Sequence, residues 1–124
     1  MIRLDTHVVI WLYTNENSKL SSTAIERIET NDLSISPLVE LELTFLNEIG
    51  RLTVGGTTIV ADLRERIGLK ISEQTTSSVV TAANSLTWTR DPFDRMIVGD
   101  AMAASSPLLT RDRKIREHTS IAIW

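Results

Sequence analysis

The stretch Met1-Ile2-Arg3-Leu4-Asp5-Thr6-His7-Val8-Val9-Ile10-Trp11-Leu12-Tyr13 decides the reading of this chain. A short apolar run, Ile2-Leu4, leads straight into an acid and then into an apolar helical pattern over Thr6-Tyr13. The same alternation continues to the end. Strands are expected at Leu33-Ser36, Leu69-Ile71, Leu108-Thr110 and Ile121-Trp124. Helices are expected at Thr23-Glu29, Leu38-Ile49, Thr57-Ile67, Glu73-Leu86, Pro92-Ala104 and Arg113-His118, with Gly50, Gly55-Gly56 and Gly68 as stops or turns. Strands alternating with helices predict an α/β fold, a three-layer α/β/α arrangement around a parallel sheet of about five strands. No repeat, low-complexity segment or linker interrupts 124 residues, so one domain spanning 1–124 is expected.

Composition narrows the chemistry. The absence of cysteine excludes disulfides, thiolate metal sites and a cysteine nucleophile, and fits a reducing cytoplasm. Every apolar segment is broken by polar residues, so neither a signal peptide nor a membrane span is expected. The formal charge of -3 argues against gripping nucleic acid by bulk positive field. It leaves room for a nuclease, since clustered acids that bind divalent metal restore local attraction for phosphate.

In an open parallel sheet, ligands bind beyond the carboxyl ends of the strands. Asp5 directly follows the first strand and Asp112 comes two residues after Thr110, so both face that crevice. Each also precedes a helix and can be an ordinary N-cap. In Asp91-Pro92-Phe93-Asp94, Asp91 is placed to cap, Pro92 takes the first helical position and Asp94 sits in the first turn, where the helix dipole favours acids. Spacing does not choose between Asp91 and Asp94 as the functional acid.

Glu42 is harder to explain as scaffolding. With successive residues about 100 degrees apart, Leu41 and Phe45 fall on one side of Leu38 and Ile49, Leu46 and Val39 on the other. Glu42 falls inside this apolar arc, while Glu40, Thr44, Asn47 and Glu48 form the expected solvated face. A lone buried carboxylate costs several kcal/mol (of order 3–5) unless paired, protonated or bound to a cation. No base stands at helical spacing, which leaves a metal, an interface or a distant arginine. Four acids with no cysteine and two histidines form an oxygen-rich set suited to Mg2+ or Mn2+ rather than zinc.

The segments Leu4-Asp5-Thr6-His7, Ser36-Pro37-Leu38-Val39-Glu40-Leu41-Glu42-Leu43, Asp91-Pro92-Phe93-Asp94-Arg95 and Leu109-Thr110-Arg111-Asp112 together resemble the ordered motifs of PIN-domain proteins. The likeness is to the VapC-type toxins of bacterial and archaeal toxin–antitoxin pairs, and it spans almost the whole chain. It implies a metal-dependent endoribonuclease with Asp5, Glu42, Asp94 and Asp112 as catalytic, metal-binding acids and Thr110 as their hydrogen-bonding neighbour. It selects Glu42 over Glu40 by the distance from Ser36, and Asp94 over Asp91. It also implies an RNA substrate, a small VapB-like antitoxin and commonly a homodimer. Two positions depart from the pattern: Thr89 stands where many relatives carry histidine, and Asp100 where an uncharged residue is usual, either solvated or an added acid near the site.

The basic run Arg111, Arg113, Lys114 and Arg116 flanks Asp112 and is expected to meet RNA phosphates, the competing reading being a solvated helix face. His7 and His118 lack partners at metal-ligand spacing and receive no catalytic role. Trp11, Trp88 and Trp124 lie in three separate segments and read as core or interface residues. The helix around Val8-Leu12 is apolar nearly all round, which suggests that another chain covers one face.

Two alternatives make different demands. A phospho-accepting receiver domain would need adjacent acids after the first strand and an aspartate after a middle strand, but Asp5 stands alone and Ile71 leads to Ser72. A catalytically silent PIN-like scaffold would not need all four acids.

Overall fold

A computed structural model describes residues 1–124. Its strands are β1 (Ile2–Leu4), β2 (Leu33–Ile35), β3 (Lys70–Ile71), β4 (Leu108–Leu109) and β5 (Ala122–Ile123). Its helices are α1 (Thr6–Tyr13), α2 (Ser22–Thr30), α3 (Pro37–Glu48), α4 (Gly56–Ile67), α5 (Thr76–Ala83), α6 (Pro92–Ala103) and α7 (Arg113–His118), with a 3-10 turn at Asn17–Lys19. The five strands pair in the order β3-β2-β1-β4-β5, all parallel, as the α/β expectation required. The chain winds outward from β1 to β3, then returns past β1 to form β4. That reversal opens a crevice at the carboxyl ends of β1 and β4.

The strands are short because the core needs little from each. Ile2, Leu4, Leu33, Ile35, Leu108 and Leu109 are buried on the sheet, and Val8, Val9, Val39, Leu43, Ile59, Leu63, Ile97 and Ile115 pack from the helices. Each such Leu or Ile side chain contributes about 1.5–3 kcal/mol by leaving water. Helix α5 is shorter than the expected Glu73-Leu86. The Thr75 side chain accepts from the Ser78 N–H and starts the helix there, and Asn84 ends it.

Two expectations about helix faces are corrected. First, α1 is covered by its own chain: Val8, Val9 and Trp11 are buried and Ile10 and Leu12 half-buried, because the helix runs across the sheet under α3 and α4. Its apolar girth therefore gives no hint of a second chain. Second, the supposed solvated face of α3 packs on α4. A Cβ at Gly56 would lie 2.2 Å from the Glu40 carbonyl oxygen and 2.7 Å from Thr44 Oγ1, so glycine lets the two helices meet there. Asn47 Nδ2 donates to the Leu52 carbonyl at 2.9 Å and closes the connecting loop. This packing rolls α3 so that Leu41, Phe45 and Ile49 are exposed, and brings Glu42 to the edge of the crevice.

Asp100 is neither solvated nor part of the acidic site. It is 1% exposed and takes Arg3 Nε at 2.7 Å and Ser72 Oγ at 2.6 Å. The departure from the usual uncharged residue is thus matched by Arg3 on β1. A buried acid on α6 and a buried base on β1 neutralise each other.

Candidate active site

Asp5 leaves β1 in extended conformation and caps α1, its Oδ1 accepting from the Thr6 N–H at 2.8 Å. Its Oδ2 accepts from Thr110 Oγ1 at 2.5 Å. The capping and functional readings of this residue are therefore compatible, since both oxygens are held while the carboxylate stays at the crevice. Burial is the main influence on it and raises its pKa above the usual carboxylate range, against the lowering effect of the two hydrogen bonds.

Thr6 carries the connection onward. Its Oγ1 donates to Glu42 Oε1 at 2.5 Å, fixing the half-buried glutamate of α3 beside Asp5. Partial burial raises the Glu42 pKa most, and the charges of Asp5 and Asp91 raise it further, while the Thr6 hydrogen bond lowers it.

Asp94 lies in the first turn of α6. Asp91 caps that helix, its Oδ1 accepting from the N–H groups of Phe93 at 2.8 Å and Asp94 at 3.3 Å, as its position ahead of Pro92 predicts. Asp94 is left with the charges. Its pKa is pushed up to about 7, first by burial and then by repulsion from Asp91, Asp5, Asp112 and Glu42.

Asp112 is exposed and caps α7, accepting from the Ile115 N–H at 3.0 Å. Its own N–H donates at 3.0 Å to Thr110 Oγ1, whose proton goes to Asp5. Thr110 thus ties the ends of β1 and β4 together. Asp94 feels the charges of the other three across the crevice, and none of the four is in an ion pair with lysine or arginine.

The donor set fits a hard divalent cation. Carboxylate oxygens from separate elements crowd one crevice, Thr hydroxyls orient two of them, and none is ion-paired with a basic side chain. No three acidic or histidine side chains already enclose an ion-sized gap. Asp5 and Glu42 are held by hydrogen bonds, whereas the Asp94 carboxylate has none and is the one left to rotate toward them.

Arg111 extends over the Trp11 ring, 5.7 Å from its centroid, and lines a recess of about 280 Å³ with Asp5, His7, Trp11 and Asp112. Arg113 instead pairs with Glu117 at 2.9 Å on the exposed side of α7, and Lys114 is exposed beside it. Of the basic run, Arg111 lies nearest the acids. His118 stacks on Trp88 at 5.0 Å and takes no part in the site. No role was assigned to Thr6 from the sequence; its adjacency to Asp5 was the available signal.

A family profile described as "PIN domain" matches residues 2–120. The protein named "Ribonuclease VapC22" from Mycobacterium tuberculosis is 28% identical over 129 residues, covering 99% of this chain and 98% of that protein. Among solved structures, the toxin–antitoxin complex from Klebsiella pneumoniae contains a chain similar at a TM-score of 0.67 and 15% identity, covering 100% of this chain and 97% of that one. VapBC2 from Rickettsia felis, bound to a DNA fragment from its promoter, is similar at a TM-score of 0.68 and 18% identity, with 99% and 96% covered.

Proposed function

This chain belongs to the PIN-domain family, and from that premise we propose that it is a divalent-metal-dependent endoribonuclease, the toxin of a type II toxin–antitoxin pair. The observation that carries the reading is the crowding of Asp5, Glu42, Asp94 and Asp112 at one crevice with none of them in an ion pair. The likeness to the Mycobacterium tuberculosis ribonuclease over nearly the full length of both proteins adds the reaction class.

Asp5, Glu42, Asp94 and Asp112 would hold Mg2+ or Mn2+, which when bound would supply Lewis acidity and charge neutralisation for hydrolysis of an RNA phosphodiester. Asp5 and Asp94 are assigned as direct ligands. Asp5 is oriented in advance by Thr6 and Thr110, and Asp94 stands to lose most repulsion when a cation arrives. Glu42, held by Thr6, binds the ion or orients the water. Asp112 acts from one shell further out, through Thr110. Arg111, with Arg113 and Lys114 further along α7, meets phosphates of the substrate.

A VapB-like antitoxin and a second copy of the chain are the proposed partners. The exposed Leu41, Phe45 and Ile49, with Phe93 5.9 Å from Phe45 between ring centroids, offer apolar area that solvent alone would leave unfavourably wet. No helix is long and apolar enough to cross a membrane, which fits the proposed cytoplasmic site of action.

The deciding experiment is cleavage of single-stranded RNA by purified protein with Mg2+, with Mg2+ plus EDTA, and by Asp5→Asn. Metal-dependent cleavage lost in the variant supports the assignment. Equal cleavage by Asp5→Asn would identify a contaminant, and silence of the unmodified chain across transfer, ribosomal and messenger RNA would favour a PIN scaffold.

A further inference from the structure

A second polar recess lies away from the acids. Arg3 on β1 pairs in register with Ser34 on β2, and Ser34 with Lys70 on β3, so the three side chains share one face of the sheet. They line a recess of about 500 Å³ whose rim includes Arg64, Ser72 and Glu73.

Two buried groups in this recess are poorly served by the protein. Ser34 Oγ is buried without any hydrogen-bond partner, and Ser34 is 1% exposed. Arg3, 5% exposed, gives Nε to Asp100 and Nη2 to Ser72 Oγ at 3.1 Å, but its Nη1 meets only Met1 Sδ at 3.3 Å. A thioether is a weak acceptor, and Met1 is itself 52% exposed and free to swing away. Buried polar groups are rarely left unsatisfied, so an orphan hydroxyl beside a half-used guanidinium points to an acceptor from outside.

The rim offers an anion two cations that no close ion pair engages. Arg64 is in no ion pair, and Lys70 reaches only the exposed Asp32 at 3.9 Å. With Arg3 balanced by Asp100 and Lys70 held only loosely by Asp32 at the solvent edge, Arg64 is the rim cation without an ion pair, alongside Glu73. A phosphate group has enough oxygens to meet Ser34, Arg3 and a rim cation together, through charge-assisted bonds. The recess is larger than inorganic phosphate requires and falls within the range of small-molecule sites. Leu69 and Ile71 give it an apolar wall for an organic part.

We propose that Arg3, Ser34, Arg64 and Lys70 form a binding site for a small organic phosphate monoester, separate from the acidic crevice. The site takes the phosphate at Ser34 and Arg3 and the organic part against Leu69 and Ile71.

The test follows backbone amide NMR signals of the full chain during titration with AMP, inorganic phosphate, adenosine and a dinucleoside monophosphate. AMP should give saturable shifts at Ser34, Ile71 and Ser72, inorganic phosphate weaker shifts at the same residues, and adenosine none. Combined Arg64→Gln and Lys70→Gln should weaken AMP about tenfold or more, equivalent to roughly 1.4 kcal/mol. Ser34→Ala should weaken it about fivefold while leaving the melting temperature unchanged or higher, because the hydroxyl it removes is already unsatisfied. Asp5→Asn should bind AMP as the unmodified chain does.

Four results would overturn the proposal: AMP shifts that do not saturate, AMP affinity untouched by the substitutions at 34, 64 and 70, loss of binding in Asp5→Asn, or a lower melting temperature in Ser34→Ala. Tighter binding of the dinucleoside monophosphate than of AMP would also overturn it, by assigning the recess to a nucleic-acid backbone.

Discussion

Thr6 Oγ1 donates a hydrogen bond to Glu42 Oε1 at 2.5 Å, joining the first turn of α1 to the middle of α3 across 36 positions of sequence. The same residue's N–H holds Asp5. One threonine therefore sets the relative position of two acids, and removing its hydroxyl separates positioning from charge.

Thr6→Val should lower RNA cleavage at saturating Mg2+ about tenfold, a loss of roughly 1.4 kcal/mol in transition-state stabilisation. Thr6→Ser, which keeps the hydroxyl, should stay within about threefold of the unmodified chain. Steady-state cleavage assays decide it, and equal activity of the valine and serine variants would remove Thr6 from the site.

Burial of Asp94, reinforced by repulsion from its neighbouring acids, makes stability depend on pH. The pKa of about 7 in the folded chain stands above the ordinary 3.8, so the folded state holds the proton more tightly than the unfolded state. This contribution is fully present below about pH 4 and is lost as pH rises to about 7. Raised values for Asp5 and Glu42 act in the same direction. Discounted for the partial exposure of Asp94, the loss amounts to about 1–2 kcal/mol. In EDTA, denaturant melts at pH 5 and pH 8 should show it, Asp94→Asn should flatten the difference, and Mg2+ at pH 8 should restore stability to the unmodified chain.

Asp112 combines a cap with a charge. Asp112→Asn should leave stability within about 0.5 kcal/mol, because asparagine caps as well as aspartate, whereas Asp112→Ala should cost about 1 kcal/mol. Both should weaken Mg2+ binding equally if charge alone matters there. Calorimetric titration with Mg2+ and thermal melts separate the two effects.

Asp100 should matter to stability and not to chemistry. Asp100→Asn leaves Arg3 buried without a counter-charge, which costs about 3–5 kcal/mol. Replacing Arg3 and Asp100 together by Met and Leu should recover most of that loss. A double-mutant cycle by urea denaturation tests the coupling, and additive losses would contradict it.

The basic run is open to a direct test by salt. Neutralising Arg113 and Lys114 should reduce the slope of log affinity against log salt for single-stranded RNA by up to about 1.4. Because Arg113 is already engaged by Glu117, Arg111→Gln should weaken binding more than Arg113→Gln. An unchanged slope in the double variant would take the exposed face of α7 out of the RNA surface.

The parallel α/β fold was legible in the chain because alternating strand and helix patterns are local: Ile2–Leu4 before Asp5, Pro92 after a capping Asp91, and glycine just past the ends of α3 and α4. The positions of Asp5 and Asp112 after strands, and of Asp94 in a first helical turn, were legible for the same reason, whereas preferring Asp94 to Asp91 rested on the family resemblance and not on local pattern. The roll of α3 was not. It depends on how closely α4 approaches at Gly56, a contact between residues 16 positions apart that turns Leu41, Phe45 and Ile49 to solvent and Glu42 to the crevice. Nor could Asp100 be placed, because its partner Arg3 lies 97 positions away. Periodicity and capping are properties of neighbouring residues; the burial of a charge is decided by whatever the fold brings beside it.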